Sequence, residues 1–172
     1  MSEPGSDDVE LLASVLQRSN STVAIAESLT GGALSSRLAA GPGSSDWYRG
    51  AVVSYSSAVK HDLLKVPDVP VVSEIAAVAM AESVCKLLGS DFAVAVTGAG
   101  GPEPQDGQEP GTVWIALHNH RTETTRSRLH HFPGDPDEVV KHTCKAATAW
   151  LLSAAMEPYE QSRAEAPERS AE

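Results

Sequence analysis

Twice in this chain an apolar run empties into small polar residues and glycine: TVAIAESLTGG at 22–32 and FAVAVTGAGGP at 92–102. In the first, Val23, Ile25 and their small neighbours suit a buried strand, and after Gly31 and Gly32 the residues Leu34 and Leu38 recur at helical spacing. The segment reads as strand, tight turn, helix. Open parallel sheets seat ligands outside the carboxyl ends of their strands, so Ser28 falls where substrates usually sit, beside free helix N–H groups. The second run ends in Thr97, Gly98, Gly100 and Gly101, and in a parallel sheet the two ends share one rim.

The rest of the chain alternates around these two runs. Residues 7–18 set Val9, Leu12, Val15 and Leu16 on one face and predict a helix covering the sheet. The stretch 41–50 is rich in turn formers and predicts a loop. AVVSY at 51–55 predicts a strand, followed by a short helix carrying Lys60 about one and a half turns after Tyr55. Ser73 and Gly89 bracket an amphipathic helix. PEPQDGQEPG at 102–111 lacks periodicity and predicts a long surface loop beside the presumed site, able to act as a flap. TVWIALH and RSRLHHF predict two strands. Asp135 as N-cap, Pro136 at the first helical position and two acids in the first turn open a last helix. From Glu157 onward the apolar stripe is lost, so the expectation is one domain over 1–156 and a disordered acidic tail over 157–172. This order implies an α/β fold: a three-layer α/β/α sandwich with a mostly parallel sheet and room for an antiparallel edge strand.

A chain of 172 residues buries roughly 70% of its unfolded surface as one domain, enough for a core without staples. The net charge is −10, but residues 1–10 and 157–172 hold seven of those ten charges, leaving the centre near −3. Broad binding to nucleic acid needs a basic face and is not expected. The opening MSEPGSDD is acidic where a secretory signal is basic and then apolar, and no apolar run nears the ~18 residues of a membrane span. The expectation is a soluble cytoplasmic protein without membrane contact, its Cys85 and Cys144 reduced and buried.

Several familiar sites fail on inspection. The third glycine of a dinucleotide fingerprint starting at Gly98 would fall on Glu103, and no G-K-[ST] occurs. A nucleophile elbow at Ser28 needs glycine where the chain has Ala26 and Thr30. His118 and His120 share one strand face, but no carboxylate or third histidine has convincing spacing, so no metal is expected.

What remains is Ser28, Lys60, Tyr55 and Thr97, each near a predicted strand end. A serine becomes a nucleophile when a neighbouring base takes its proton, and a lysine serves if burial depresses its pKa. Backbone N–H groups at Gly31 and Gly32, or from Gly98 to Gly101, would then cradle the oxyanion of an attacked amide. The plainer reading, in which Ser28 and Thr97 cap helices and Lys60 is solvated, fits the bare spacing at least as well.

The motifs together add more. AESLTGG at 26–32, GAVVSYSSAVKHDLL at 50–64 and VTGAGGP at 96–102 resemble the AES-x-TGG, G-x-V-x-YSN-x-x-K and VTG-x-AGP segments of the CinA C-terminal domain family, whose enzymatic members are nicotinamide-nucleotide amidases. VSE at 72–74, PGTVWIA at 110–116 and FPGD at 132–135 also match in order. The resemblance implies a commonly dimeric domain that hydrolyses the carboxamide of nicotinamide mononucleotide to nicotinate mononucleotide and ammonia, with no metal or cofactor. It implies Ser28 as nucleophile, Lys60 as base, and Tyr55 and Thr97 as polar site residues. Glu27, Thr30, Gly31, Gly32, Gly98, Gly100 and Gly101 are expected around the substrate. The partner expected is this pyridine mononucleotide, and a homodimer. Ser57 stands where the family has Asn, and Pro136 and Val140 stand where its last helix carries arginines, leaving Lys141 or Lys145 to supply a cation. The rival expectation is a module of the same fold that keeps the pocket without turnover.

Overall fold

The computed structural model describes residues 6–164. Its core is a five-stranded sheet of β1 (Val23–Glu27), β2 (Tyr48–Val53), β3 (Phe92–Gly98), β4 (Thr112–Asn119) and β5 (Thr124–His131), in the spatial order β2-β1-β3-β4-β5. β1 runs parallel to β2 and β3, whereas β4 and β5 continue the sheet antiparallel. The carboxyl ends of β1 and β3 are level, since Glu27 pairs with Val96.

Side-chain size sorts the two faces. Successive Cβ atoms of a strand point to opposite sides. Val23 and Ile25 of β1, Phe92, Val94 and Val96 of β3, and Val113, Ile115 and Leu117 of β4 form one buried layer. Helices α1 (Ser6–Ser19) and α6 (Pro136–Ala164) pack on it through Leu12, Leu16, Val139 and Trp150. Their alternating neighbours Ala24, Ala26, Ala93, Ala95 and Ala116 leave a shallow opposite face, filled by Ala77, Met80, Ala81 and Val84 of α5 (Glu74–Leu88). The expected three-layer sandwich is thereby formed, with its antiparallel edge on the β4–β5 side.

Local chemistry fixes the ends of the helices. The Ser73 hydroxyl accepts from the Ala76 N–H at the start of α5, and Gly89 closes it in a left-handed conformation. At α6 the Asp135 carboxylate accepts from the Glu138 N–H while Glu138 accepts from the Asp135 N–H, a reciprocal capping box.

Two expectations need correction. Residues 41–50 are not all loop: they contain the short helix α3 (Ser44–Trp47), and β2 starts at Tyr48. Trp47 is buried and its indole N–H donates to the Pro42 carbonyl, so burial overrides the turn-forming composition around it. β2 ends at Val53, which leaves Ser54 and Tyr55 beyond the strand. α6 is described through to Ala164 and so enters the expected tail. The rest of the expected tail, 165–172, lies outside the described residues.

Candidate active site

The strand β1 delivers Ser28 to the sheet rim. Its N–H donates to the Val96 carbonyl at 3.1 Å, one step beyond the β1–β3 ladder, so the serine is held by both strands. Ser28 is 7% exposed, and the bond it donates among the described residues is that of its N–H, not its hydroxyl. It faces a pocket of about 330 Å³ lined also by Leu29, Tyr55, Gly98, Gly100, Gly101, Glu103, Pro104, Gln105, Pro136 and Val140. The N–H groups of Leu29, Gly100 and Gly101 find no acceptor among the described residues. Ser28 and these three residues line one wall of the pocket.

Other expected site residues are committed elsewhere. Glu27 is fully buried and its Oε1 accepts from the Thr30 hydroxyl at 2.6 Å, the Gly32 N–H at 3.2 Å and the Leu34 N–H at 2.9 Å; Oε2 accepts from the Ser35 N–H at 3.0 Å. This carboxylate caps the helix α2 (Ala33–Ala39), where anionic charge meets free N–H groups and the positive end of the dipole. Gly32 has φ +104°, a conformation open to glycine, and it turns the chain into α2. The Gly31 N–H is taken by the Ser28 carbonyl. Glu27, Thr30, Gly31 and Gly32 thus build the turn beneath the site, and the expected oxyanion donors at Gly31 and Gly32 are already spent.

Gly98 lines the pocket, yet its need for glycine comes from packing: a Cβ there would lie 2.6 Å from the Thr112 carbonyl oxygen on β4. Thr97 caps no helix. It is buried, and its hydroxyl donates to the Val71 carbonyl at 2.6 Å, tying β3 to the segment before α5. Tyr55 is 74% exposed and stands at the rim. Lys141 is exposed on α6 and lies outside the pocket.

Lys60, on the short helix α4 (Ser57–Asp62), is buried to 1% exposure and is not solvated. Its Nζ donates to the Ser54 carbonyl at 2.6 Å and to the Tyr55 carbonyl at 3.3 Å, not to Ser28. The Ser56 hydroxyl caps α4 by accepting from the Val59 N–H, and this sharp start brings the lysine back over residues 54–55. Ser54 in turn donates its N–H and hydroxyl to the Glu27 carbonyl, so the ammonium is one hydrogen-bonded link from the strand end that carries Ser28. Burial pushes the Lys60 pKa below its ordinary value, and the Asp106 carboxylate opposes the shift.

The sequence placed the 102–111 loop beside the site but singled out neither Glu103 nor Asp106 within it. Asp106 sits at φ +52° within the 102–111 loop and accepts from the Val72 N–H at 3.1 Å. Gln105 and Gln108 bridge by paired main-chain hydrogen bonds, so the loop is a small hairpin set against the pocket. No Lys, Arg or His among the described residues lines the pocket, and its one charged side chain is Glu103. Pro136 and Val140, where the resembled family carries arginines, supply an apolar wall.

No described helix is long and apolar enough to cross a membrane. The model of the CinA C-terminal domain matches residues 7–155. A CinA-like protein of Geotalea daltonii is 38% identical over 87% of this chain and 37% of its own length, and one of Synechococcus is 45% identical over 66% and 29%. The chain thus spans about a quarter to a little over a third of the length of the curated relatives it matches. A competence or damage-inducible protein from Enterobacter asburiae superposes with TM-score 0.85 at 31% identity, covering 90% of this chain and 99% of that one. The corresponding protein of Agrobacterium tumefaciens gives TM-score 0.80 at 27% identity. With a matching domain model and matching structures over nearly its whole folded length, this chain belongs to the CinA C-terminal domain family.

Proposed function

We propose that the chain is an amidohydrolase that converts the carboxamide of nicotinamide mononucleotide to the carboxylate, releasing ammonia. The observation that carries this reading is Ser28, set in a pocket wall with Leu29, Gly100 and Gly101, whose N–H groups bond to no acceptor among the described residues. Such a wall suits a carbonyl whose oxygen gains negative charge on attack.

In the proposed reaction Ser28 Oγ attacks the amide carbon as neutral Lys60 takes its proton. The backbone donors hold the oxyanion. Lys60 then returns the proton to the departing nitrogen, which leaves as ammonia, and water hydrolyses the ester with the same groups in reverse. Because Nζ is bonded to Ser54 and Tyr55, the proton passes between Lys60 and Ser28 through a bridging water.

A second reading, a module of the same fold without turnover, is favoured by one observation: among the described residues no base touches Ser28, since Lys60 Nζ is bonded to Ser54 and Tyr55. One experiment separates the two. Wild type and Ser28→Ala are incubated with nicotinamide mononucleotide and the ammonia is measured. Release from wild type alone supports the amidase; binding with no ammonia from either supports the module.

A further inference from the structure

We propose that the turn between β4 and β5 carries a binding site for a divalent transition-metal cation, held by His118, His120 and Glu123. One ligand atom from each of the three lies within 4.8 Å of the other two. His118 is in β4 and His120 follows the strand's last residue, Asn119, with the two ring centroids 6.4 Å apart. Glu123 is at φ +51° in the turn, and this left-handed bend returns its carboxylate to 2.8 Å from His120 Nδ1. No regular spacing would have brought that carboxylate to the histidines, which is why the sequence pattern lacks it. Bonds of roughly 2.0–2.1 Å place tetrahedral ligands about 3.3 Å apart. The His120 and Glu123 side chains are 65% and 70% exposed and free to close the remaining gap.

A second observation points to a ligand. His118 is 7% exposed, and its Nδ1 lies 2.9 Å from the Thr125 hydroxyl, which donates its only proton to Glu82 Oε1 at 2.7 Å. With that proton spent, the Thr125 oxygen can only accept, so Nδ1 of His118 carries the hydrogen. The lone pair of the neutral ring is then on Nε2. A carboxylate acting through a hydroxyl to fix the tautomer is the support that metal-binding imidazoles characteristically have. These groups open on a cavity of about 580 Å³. Of its two other lining carboxylates, Glu82 accepts from Thr125 and Asp91 is engaged by Thr22 and Arg121.

Two imidazoles and one carboxylate suit Zn²⁺, Ni²⁺ or Cu²⁺ over Mg²⁺ or Ca²⁺, with a position left open. His118 pairs with Ala93, which is level with Ala24, so the site is toward the opposite end of the sheet from Ser28, about 13 Å away along the strand direction. It is independent of the amidase reading. Bound there, a cation clips the β4–β5 turn and, through Thr125 and Glu82, couples it to α5.

The test is calorimetric titration of the EDTA-stripped full chain with Zn²⁺, paired with thermal melts. The expected result is saturable binding of one Zn²⁺ per chain, weakened at least tenfold by His120→Ala and by Glu123→Gln, with Mg²⁺ giving no heat. Zn²⁺ raises the Tm of wild type and of Ser28→Ala but not of His120→Ala. Both substitutions fall on exposed side chains, so the fold survives them. Absence of saturable binding, or equal affinity in wild type, His120→Ala and Glu123→Gln, would overturn the proposal.

Discussion

Lys60 donates its buried ammonium to the Ser54 carbonyl at 2.6 Å, and Ser54 in turn holds the carbonyl of Glu27, the residue before Ser28. This chain of bonds places a titratable nitrogen beside the proposed nucleophile without direct contact. In the proposed reaction the protonation state of Lys60 sets the rate.

Burial lowers the Lys60 pKa, and only the neutral amine accepts a proton. Ammonia release should therefore rise with pH and level off below the ordinary lysine value of about 10.4. Asp106 favours the charged form, so Asp106→Asn should move the rise to lower pH; asparagine tolerates the left-handed backbone there and still offers an oxygen to the Val72 N–H. Lys60→Met should cost about a hundredfold or more in kcat/KM. The profiles of kcat/KM against pH for the three proteins decide the matter, and an unshifted Asp106→Asn profile would count against Lys60 as the base.

Glu27 is a structural anchor. Glu27→Ala leaves the Thr30 hydroxyl and three helix-end N–H groups without their acceptor, a loss of about 3 kcal/mol or more. Glu27→Gln should cost less, since one amide oxygen remains. Urea denaturation of the three proteins measures both.

Neighbouring glycines of one loop should respond differently to the same change. Gly98→Ala drives a Cβ to 2.6 Å from the Thr112 oxygen, against backbone that cannot yield, and should cost about 2 kcal/mol or more. Gly100→Ala meets Leu29 at an ordinary 3.6 Å and should leave the Tm nearly unchanged. Thermal melts of the two variants test the contrast.

Burial, assisted by the Glu27 charge, pushes the Cys144 thiol up to about 11. The folded chain therefore holds this proton to higher pH than the unfolded chain. The stability it contributes is complete below a free thiol's value of about 8.5 and is lost as pH climbs through the folded pKa. The Cys85 thiol, also raised by burial, acts in the same sense, and Lys60, with its lowered pKa, in the opposite one. Cys144→Ala should therefore lose less stability than wild type between about pH 9 and 11. Chemical denaturation across that range gives the two slopes.

The sequence by itself determined what local chemistry dictates. Alternating apolar residues in β1 and β3, the Ser73 and Asp135 caps, and the glycines that end both strands fix the element order and bring Ser28 and Gly98 to one rim. It also carried the family motifs. Tertiary structure alone decided where polar groups spend their bonds. Glu27 turns to α2, Thr97 to Val71, Lys60 to residues 54–55, and Glu123 back to the histidines. A strand or helix pattern records which face a residue occupies. Whether a buried hydroxyl, carboxylate or ammonium faces a substrate or an orphaned backbone group depends on which segments fold beside it, and that partner is distant in sequence or beyond a left-handed turn.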